Sequence, residues 1–460
     1  MRPLPWLAAL AALAVAAPAR ADGDPKIAFE RYTLANGLEV ILARDSTVPL
    51  VAVNVWYHVG SGLETPGKSG FAHLFEHMMF QGSVHTGEDA HFKVLRKLGA
   101  TEVNGTTTSD RTNYYEVVPS NQLETALWLE SDRMAYLLPM LTPASLANQI
   151  DVVRNERRER YENGPFWRAR FAANEALYPE GHPYRYFTIG RHADLERASV
   201  EDVRAFFATW YVPANATLTL CGDFDPAQAR ALIDRWFGSL PTSQRPSPVA
   251  VPAPTIARRE LTVDDRFAKL RQVAWYWHTP GNFAPGDAEL DVVAEALTAE
   301  GTGRLYQALV YDRPLAQAVT ANQAGAGFSG VFSVVVTLRT GADLDQVRAV
   351  VEAELARVTR EPVDAKAIHR YAARHEAALV RGLEDLNTRA NTLQSYRHYL
   401  GDPDRFTWDL DRYRTMTAEQ VRLTAERYLG AAHALVVVTR PGAAAPAAPT
   451  PAASTTPAAP

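Results

Sequence analysis

Along this chain the spacing of apolar residues switches repeatedly between two and three to four, the periods of strands and helices. Tyr32-Thr33-Leu34 runs into Asn36-Gly37, and Leu38-Glu39-Val40-Ile41-Leu42 comes next. An Asn-Gly pair between two extended runs predicts a tight hairpin over residues 29–44. Residues 51–59 are β-branched and aromatic and predict another strand. After a polar, glycine-rich stretch, Phe71, Leu74, Phe75, Met78 and Met79 adopt helical spacing, with Ser69 placed to cap the helix. A second helix is predicted over 89–98, strands over 102–118, and long helices over 120–136 and 143–161. Leu218-Thr219-Leu220 predicts a further strand, and 226–237 a further helix.

Residues 241–254 (PTSQRPSPVAVPAP) are proline-dense and almost free of large apolar groups, which predicts an extended, flexible linker, bounded at 258. The chain beyond the linker repeats the chain before it. Trp56-Tyr57 returns at an offset of 219 as Trp275-Tyr276. Trp210-Tyr211-Val212 with Leu218-Thr219-Leu220 returns at an offset of 217 as Arg427-Tyr428-Leu429 with Leu435-Val436-Val437. Two landmarks at opposite ends of each half, at nearly one offset, predict two homologous α/β sandwich domains, 22–240 and 259–441. The fold class is α+β, each domain a mostly antiparallel sheet with helices covering one face. Residues 442–460 are almost wholly Ala, Pro, Thr and Ser and are predicted to be a disordered tail.

The helix at 70–80 carries chemistry. His73 and His77 are four apart and stack on one side, and Glu76 falls beside them. A lone histidine on an apolar helix is ordinarily a packed core residue. Three ionisable groups among Phe71, Leu74, Phe75, Met78, Met79 and Phe80 are costly without a partner, and no other two of the 12 histidines stand four apart. Two imidazoles at this spacing can share one tetrahedral Zn2+, with the carboxylate placed to take a proton from a metal-bound water, the H-x-x-E-H order. An offset of 219 sets Val292, Glu295 and Ala296 opposite His73, Glu76 and His77. The second half keeps the carboxylate and lacks both imidazoles, so the first half alone binds a metal this way.

A catalytic zinc needs a third protein ligand. On the helix at 143–161, Leu146, Ile150 and Val153 define the buried stripe, and Glu156 continues its edge. Glu159 and Glu162 are alternatives, Glu159 pointing away from the stripe, and spacing alone leaves the choice open.

Composition narrows the setting. At 460 residues with 47% hydrophobic content the chain is too long for one small core. Its net charge of −5 lends no support to nucleic-acid binding. Arg2, an apolar run at 7–17 too short to span a bilayer, and Ala19-Arg20-Ala21 predict a secretory signal peptide over 1–21. Export and cleavage of this leader would place the mature chain in the periplasm, without membrane insertion afterwards. Cys221 stands alone, so no intrachain disulfide can form.

His73-Leu74-Phe75-Glu76-His77, with Gly70, Ala72, Met78, Phe80 and Gly82, resembles the pitrilysin or insulinase family of zinc metallopeptidases over nearly the whole mature chain. The likeness is to the smaller bacterial members and to the subunits of the mitochondrial processing peptidase. It implies a third ligand in a V-V-x-x-E context, well beyond the second histidine; Val152-Val153-Arg154-Asn155-Glu156 matches, which makes Glu156 that ligand. It also implies that Asn104, Gly105 and Thr106 lie on an edge strand that pairs with bound peptide, a β-augmentation that reads backbone rather than side chains. Gln149 stands where relatives carry a glutamate that orients a ligand, which implies weaker metal affinity. Val310 and Gln317 stand where single-chain or homodimeric relatives carry a substrate-contacting Arg and Tyr. The resemblance thus implies an exported zinc endopeptidase acting on extended or unfolded peptides, paired with a homologous subunit that lacks the zinc motif and supplies Arg and Tyr. Its two halves, joined by a flexible linker, would enclose the peptide. The alternative is a peptide-binding or assembly subunit whose zinc site is structural or unused.

Overall fold

The computed structural model describes residues 26–442, and the predicted signal peptide and the tail beyond Gly442 lie outside the described residues. The first sheet contains β1 (Glu30–Thr33), β2 (Glu39–Arg44), β3 (Leu50–Tyr57), β4 (Glu102–Thr107), β5 (Thr112–Pro119) and β6 (Ala216–Gly222). Its order is β1-β2-β6-β3-β5-β4, so β4 is an open edge. The second sheet contains β7 (Arg259–Asp265), β8 (Gln272–Thr279), β9 (Ala316–Ala324), β10 (Gly330–Leu338) and β11 (Leu435–Pro441), in the order β7-β11-β8-β10-β9. The pairs β2–β6 and β7–β11 are parallel and the remaining pairs antiparallel. Asn36-Gly37 turns between β1 and β2 as its sequence predicts, with Gly37 at φ +93°.

Pairing register tests the repeat. Trp56 faces Thr217 across β3 and β6, and Trp275 faces Val436 across β8 and β11. One offset of 219 relates both residues of each pair, so the match at an offset of 217 is two positions out of register.

In the first half, α1 (Phe71–Met78), α2 (Ala90–Lys97), α3 (Leu123–Tyr136) and α4 (Pro143–Arg157) precede α5 (Trp167–Leu177). Tyr57, Phe75, Met78, Leu127, Leu218 and Phe237 belong to one buried core, and Trp275, Trp277, Val292, Leu297, Phe332 and Val436 to a second. Each core lies between a sheet and the helices of its own half.

The opposite sheet faces are covered as well, which corrects the expected one-sided sandwich. Leu386, Ala390 and Leu393 of the helix Leu386–Leu400 pack on Ile41, Ala52, Val117 and Cys221 of the first sheet. In return, Ala169, Ala173 and Leu177 of α5 share a buried cluster with Leu435 and Val437 of the second sheet. At an offset of 217, Ala169, Ala173 and Ala176 fall on Leu386, Ala390 and Leu393, so these helices bury corresponding faces and are copies of each other, exchanged between the halves. Neither helix is strongly amphipathic in sequence, and each buries a face against a sheet distant along the chain, which no local pattern discloses. Arg397 pairs with Glu39 at 2.5 Å and Arg389 with Asp45 at 2.6 Å, and the Gln394 side chain donates to the Thr217 carbonyl at 2.8 Å. The halves are therefore packed against each other. Residues 241–258, the expected linker, contain neither helix nor strand.

In the second half, Asp291 is largely buried on the helix Asp287–Thr298 and accepts from Tyr413 Oη at 2.7 Å. Burial, opposed by that hydrogen bond, pushes its pKa up to about 7. A raised carboxyl pKa makes the folded chain bind a proton that the unfolded chain releases near pH 4, so stability falls as pH rises from about 4 to about 7. Asp291→Asn is expected to raise Tm by a few degrees at pH 8 and to change it little at pH 4.5, as thermal melts at the two pH values would show.

Candidate metal centre

The helix α1 starts where the backbone cannot carry side chains. Gly70 has φ +92°, and a Cβ there would lie 2.9 Å from the Cα of Gly190, itself at φ +71°. This close approach sets α1 against the loop that ends in Thr188 and Ile189. Gly70, rather than Ser69, is the residue preceding the first turn, and Ser69 Oγ donates to Asp194 Oδ2 at 2.6 Å instead of capping the helix. The cap comes from Glu64, whose carboxylate accepts the N–H groups of Gly70 at 3.0 Å and Ala72 at 2.8 Å. The carboxyl oxygens satisfy orphan donors at the helix start, while burial pushes the Glu64 pKa up to about 8. The left-handed turn at Gly70 rotates Ser69 away, which explains why the expected cap fails.

His73 and His77 face α4. His73 Nε2 lies 3.7 Å and His77 Nε2 3.3 Å from Glu156 Oε2. Ligand atoms at about 2.0–2.1 Å around a tetrahedral ion are separated by roughly 3.3–3.5 Å, so this donor set fits zinc. Glu156 Oε1 turns outward to Arg160 Nη1 at 2.9 Å. Of the other two candidate ligands, Glu159 is exposed, while Glu162 is held by Arg157 Nε at 2.7 Å and His192 Nε2 at 3.1 Å. Burial and the neighbouring His77 push the His73 pKa down to about 4, which keeps its imidazole neutral. The contact with His77 holds the Glu156 carboxyl below its ordinary range. Neutral imidazoles and an ionised carboxylate are the forms that bind a metal.

Glu76 shares the pocket and is 8% exposed. Burial raises its pKa, and Thr107 Oγ1, donating to Oε2 at 2.5 Å, pulls the other way. Thr107 lies on β4 with Asn104, Gly105 and Thr106, the predicted edge-strand residues. A Cβ on Gly105 would come within 3.1 Å of Glu76 Cγ and 3.1 Å of Tyr114 Cδ1, so a glycine lets the strand approach the carboxylate. The Gly105 N–H is bonded to Asn104 Oδ1 at 2.9 Å. Thr107 and Glu64 are not among the site residues expected from the sequence. Thr107 was accessible there, since strand alternation puts it on the same face as Gly105, whereas nothing local marks Glu64 as the cap.

The cavity above these groups measures about 530 Å³, and its lining residues fall between His73 and Ile189. Val310 and Gln317 are not among them. Gln149 lines it and is buried, and His73 Nδ1 is buried without a hydrogen-bond partner. A second group, His91, Glu116 and Glu130, is buried in the core. There Arg133 contacts Glu130 and supplies the opposing charge, the work a cation would otherwise do. Among the described residues, no helix is long and apolar enough to cross a membrane.

Residues 39–172 match the family model for Insulinase (Peptidase family M16), and residues 197–374 that for the Peptidase M16 inactive domain. The chain belongs to the insulinase family of zinc metallopeptidases, peptidase family M16. Zinc protease PqqE of Helicobacter pylori is 28% identical over 288 residues, a match spanning 62% of this chain and 64% of that protein, just under two thirds of its length. The uncharacterized zinc protease YmxG of Bacillus subtilis is 23% identical over 417 residues, 90% of this chain and 99% of that one. These relatives support a peptidase activity. Among solved structures, a protease from Helicobacter pylori superposes with a TM-score of 0.83 at 23% identity, covering 91% of this chain and 100% of that chain. The periplasmic protease PqqL from Escherichia coli gives 0.75 at 18% identity, covering 91% and 48%. Both share the two-sheet fold of this chain.

Proposed function

We propose that this chain is an exported zinc endopeptidase that hydrolyses extended or unfolded peptides. The observation that carries the reading is the convergence of His73, His77 and Glu156 on one point, with the Glu76 carboxylate in the same cavity. Two imidazoles and one carboxylate leave a fourth tetrahedral position open, as catalytic rather than structural zinc sites do. Zinc held there supplies Lewis-acid chemistry, lowering the pKa of a water and polarising a carbonyl. Glu76 is the general base: Thr107 occupies Oε2 and fixes the carboxylate plane, which leaves Oε1 to accept the water's proton and return it to the leaving amine. A carboxyl with a raised pKa suits both transfers. Asn104, Gly105 and Thr106 hold the substrate as an added strand on the open edge of β4, the peptide displacing the Asn104 side chain from the Gly105 N–H. The leader read in the sequence, and the likeness to a protein described as a periplasmic protease, support a periplasmic location.

A homologous subunit completes the cavity. Its lining comes from the first half alone, and Val310 and Gln317 replace the Arg and Tyr that the resemblance assigns to substrate contact. Zinc analysis of the purified mature chain, with a quenched fluorescent peptide assayed with and without such a partner, tests the reading. One bound zinc and chelator-sensitive cleavage are expected. Full zinc loading without turnover in either state would favour a peptide-binding subunit instead. Gly105→Ala is expected to lower kcat/KM by about tenfold or more with zinc content unchanged, because the added methyl displaces Glu76 or the strand. Steady-state kinetics alongside metal analysis would check this.

A further inference from the structure

The geometry points to a positioning role for the half that lacks the metal motif: its Tyr399, through Asp110, fixes the β4–β5 hairpin and thereby the contact between Thr107 and Glu76. The inference rests on the peptidase reading and adds a positioning pair to it.

Asp110 sits at the tip of the hairpin, between the strand that would carry substrate and the strand β5 paired with it. Its carboxylate gathers three donors. Tyr184 Oη donates to Oδ1, while Tyr399 Oη at 2.8 Å and the Gly327 N–H at 2.9 Å donate to Oδ2. Tyr399 and Gly327 belong to the second half. Tyr184 Oη in turn accepts the Phe328 N–H at 3.0 Å, so the tip is tied twice to the β9–β10 turn.

The same second-half helix grips the hairpin elsewhere. Asn387 Nδ2 donates to Glu102 Oε2 at 3.1 Å, at the start of β4. Asn391 Oδ1 accepts from Asn113 Nδ2 on β5 at 3.3 Å and from Trp56 Nε1 at 3.1 Å. Positions 387 and 391, one turn apart, share a side of the helix, and 399 stands about two turns further along it. On the hairpin itself, Arg111 Nη1 donates to the Thr106 carbonyl at 2.8 Å, linking the tip residue next to Asp110 back to the substrate strand.

These contacts matter because β4 is bonded on one side only, and a lone hairpin edge is weakly held by its own ladder. The base contact Thr107–Glu76 has little tolerance, since misplacement by about 1 Å at a reacting group costs roughly 10²-fold in rate. A fixed tip supplies the constraint that the open edge lacks. The inactive half is then needed for more than covering the back of the sheet.

Tyr399→Phe removes one hydroxyl and leaves the packing volume. With partner present, it is expected to lower kcat of the full chain about tenfold, with KM changed less, and with zinc content and Tm near those of wild type. Amide exchange of residues 104–112 is expected to quicken about tenfold while the α3 amides stay unchanged. In a Thr107→Val background the further loss from Tyr399→Phe should shrink below about twofold, because both changes act on the same contact. Unchanged exchange in the hairpin, or losses that simply multiply in the double variant, would overturn the inference. A wild-type chain that fails to cleave sinks the peptidase reading instead, and the exchange measurement still decides whether Tyr399 fixes the hairpin.

Discussion

Glu76→Gln is expected to bind zinc as wild type does and to lose about 10³-fold or more in kcat/KM on a quenched peptide. The two side chains are nearly isosteric. Thr107 can still donate to the amide oxygen of Gln, so the helix, strand and ligands stay in place. What disappears is the proton acceptor. An amide nitrogen turned toward the water donates where a base must accept, so both the deprotonation and the later return of the proton to the leaving amine fail. Removing a largely buried charge also costs the fold little, and Tm should hold. His77→Ala and Glu156→Gln form the contrast, since each removes a ligand atom and should lower zinc affinity and activity together. Metal analysis beside single-turnover kinetics separates the two classes. A Glu76→Gln enzyme near wild-type rate would mean that another group takes the proton.

The parts of this site that were legible in the sequence are those set by short-range geometry. The i, i+4 pair of His73 and His77 and the adjacent Glu76 come from helical spacing, and the Asn36-Gly37 hairpin comes from turn chemistry. Glu156 was legible only in part. Spacing left it beside Glu159 and Glu162, and the family resemblance chose it. The folded chain gives a physical reason for that choice, since Glu159 faces solvent and Glu162 is engaged by Arg157 and His192.

The illegible parts are those in which a residue's partner is remote or a backbone angle overrides a side-chain preference. Ser69 is a good capping residue, but the φ of +92° at Gly70 hands that task to Glu64. The exchange of α5 and its copy Leu386–Leu400 couples positions far apart along the chain, such as Asn54 with Asn387 at 2.9 Å. The linker's composition describes how the chain crosses between the halves, and says nothing of how tightly the halves then pack. Asp110 reads as an ordinary turn residue, and only the tertiary fold brings Tyr399 and Gly327 to it.

The chain purified alone is expected to load zinc yet turn over peptide at least about 10²-fold more slowly than the same chain mixed with a homologous subunit that carries the Arg and Tyr. The proposed metal donors and base lie on α1 and α4, and the proposed substrate edge on β4, all within the first half. Among the described residues, none of the second half lines the cavity, and Val310 and Gln317 supply neither a guanidinium nor a phenol. A peptide laid on β4 would be held by backbone bonds on one side and would face an open cavity on the other. An Arg donated across that opening contributes a fixed charge where negative charge develops on the scissile carbonyl, and a Tyr adds a donor; both are effects of preorganised electrostatics in a water-poor site. The expected signature is a rise in kcat/KM that saturates with partner concentration, is absent with Glu76→Gln, and is lost when the partner's Arg is replaced. Full activity of this chain as a monomer or homodimer would sink the two-subunit reading while leaving the assignment of His73, His77, Glu156 and Glu76 intact, because that assignment depends on groups that one chain brings together by itself.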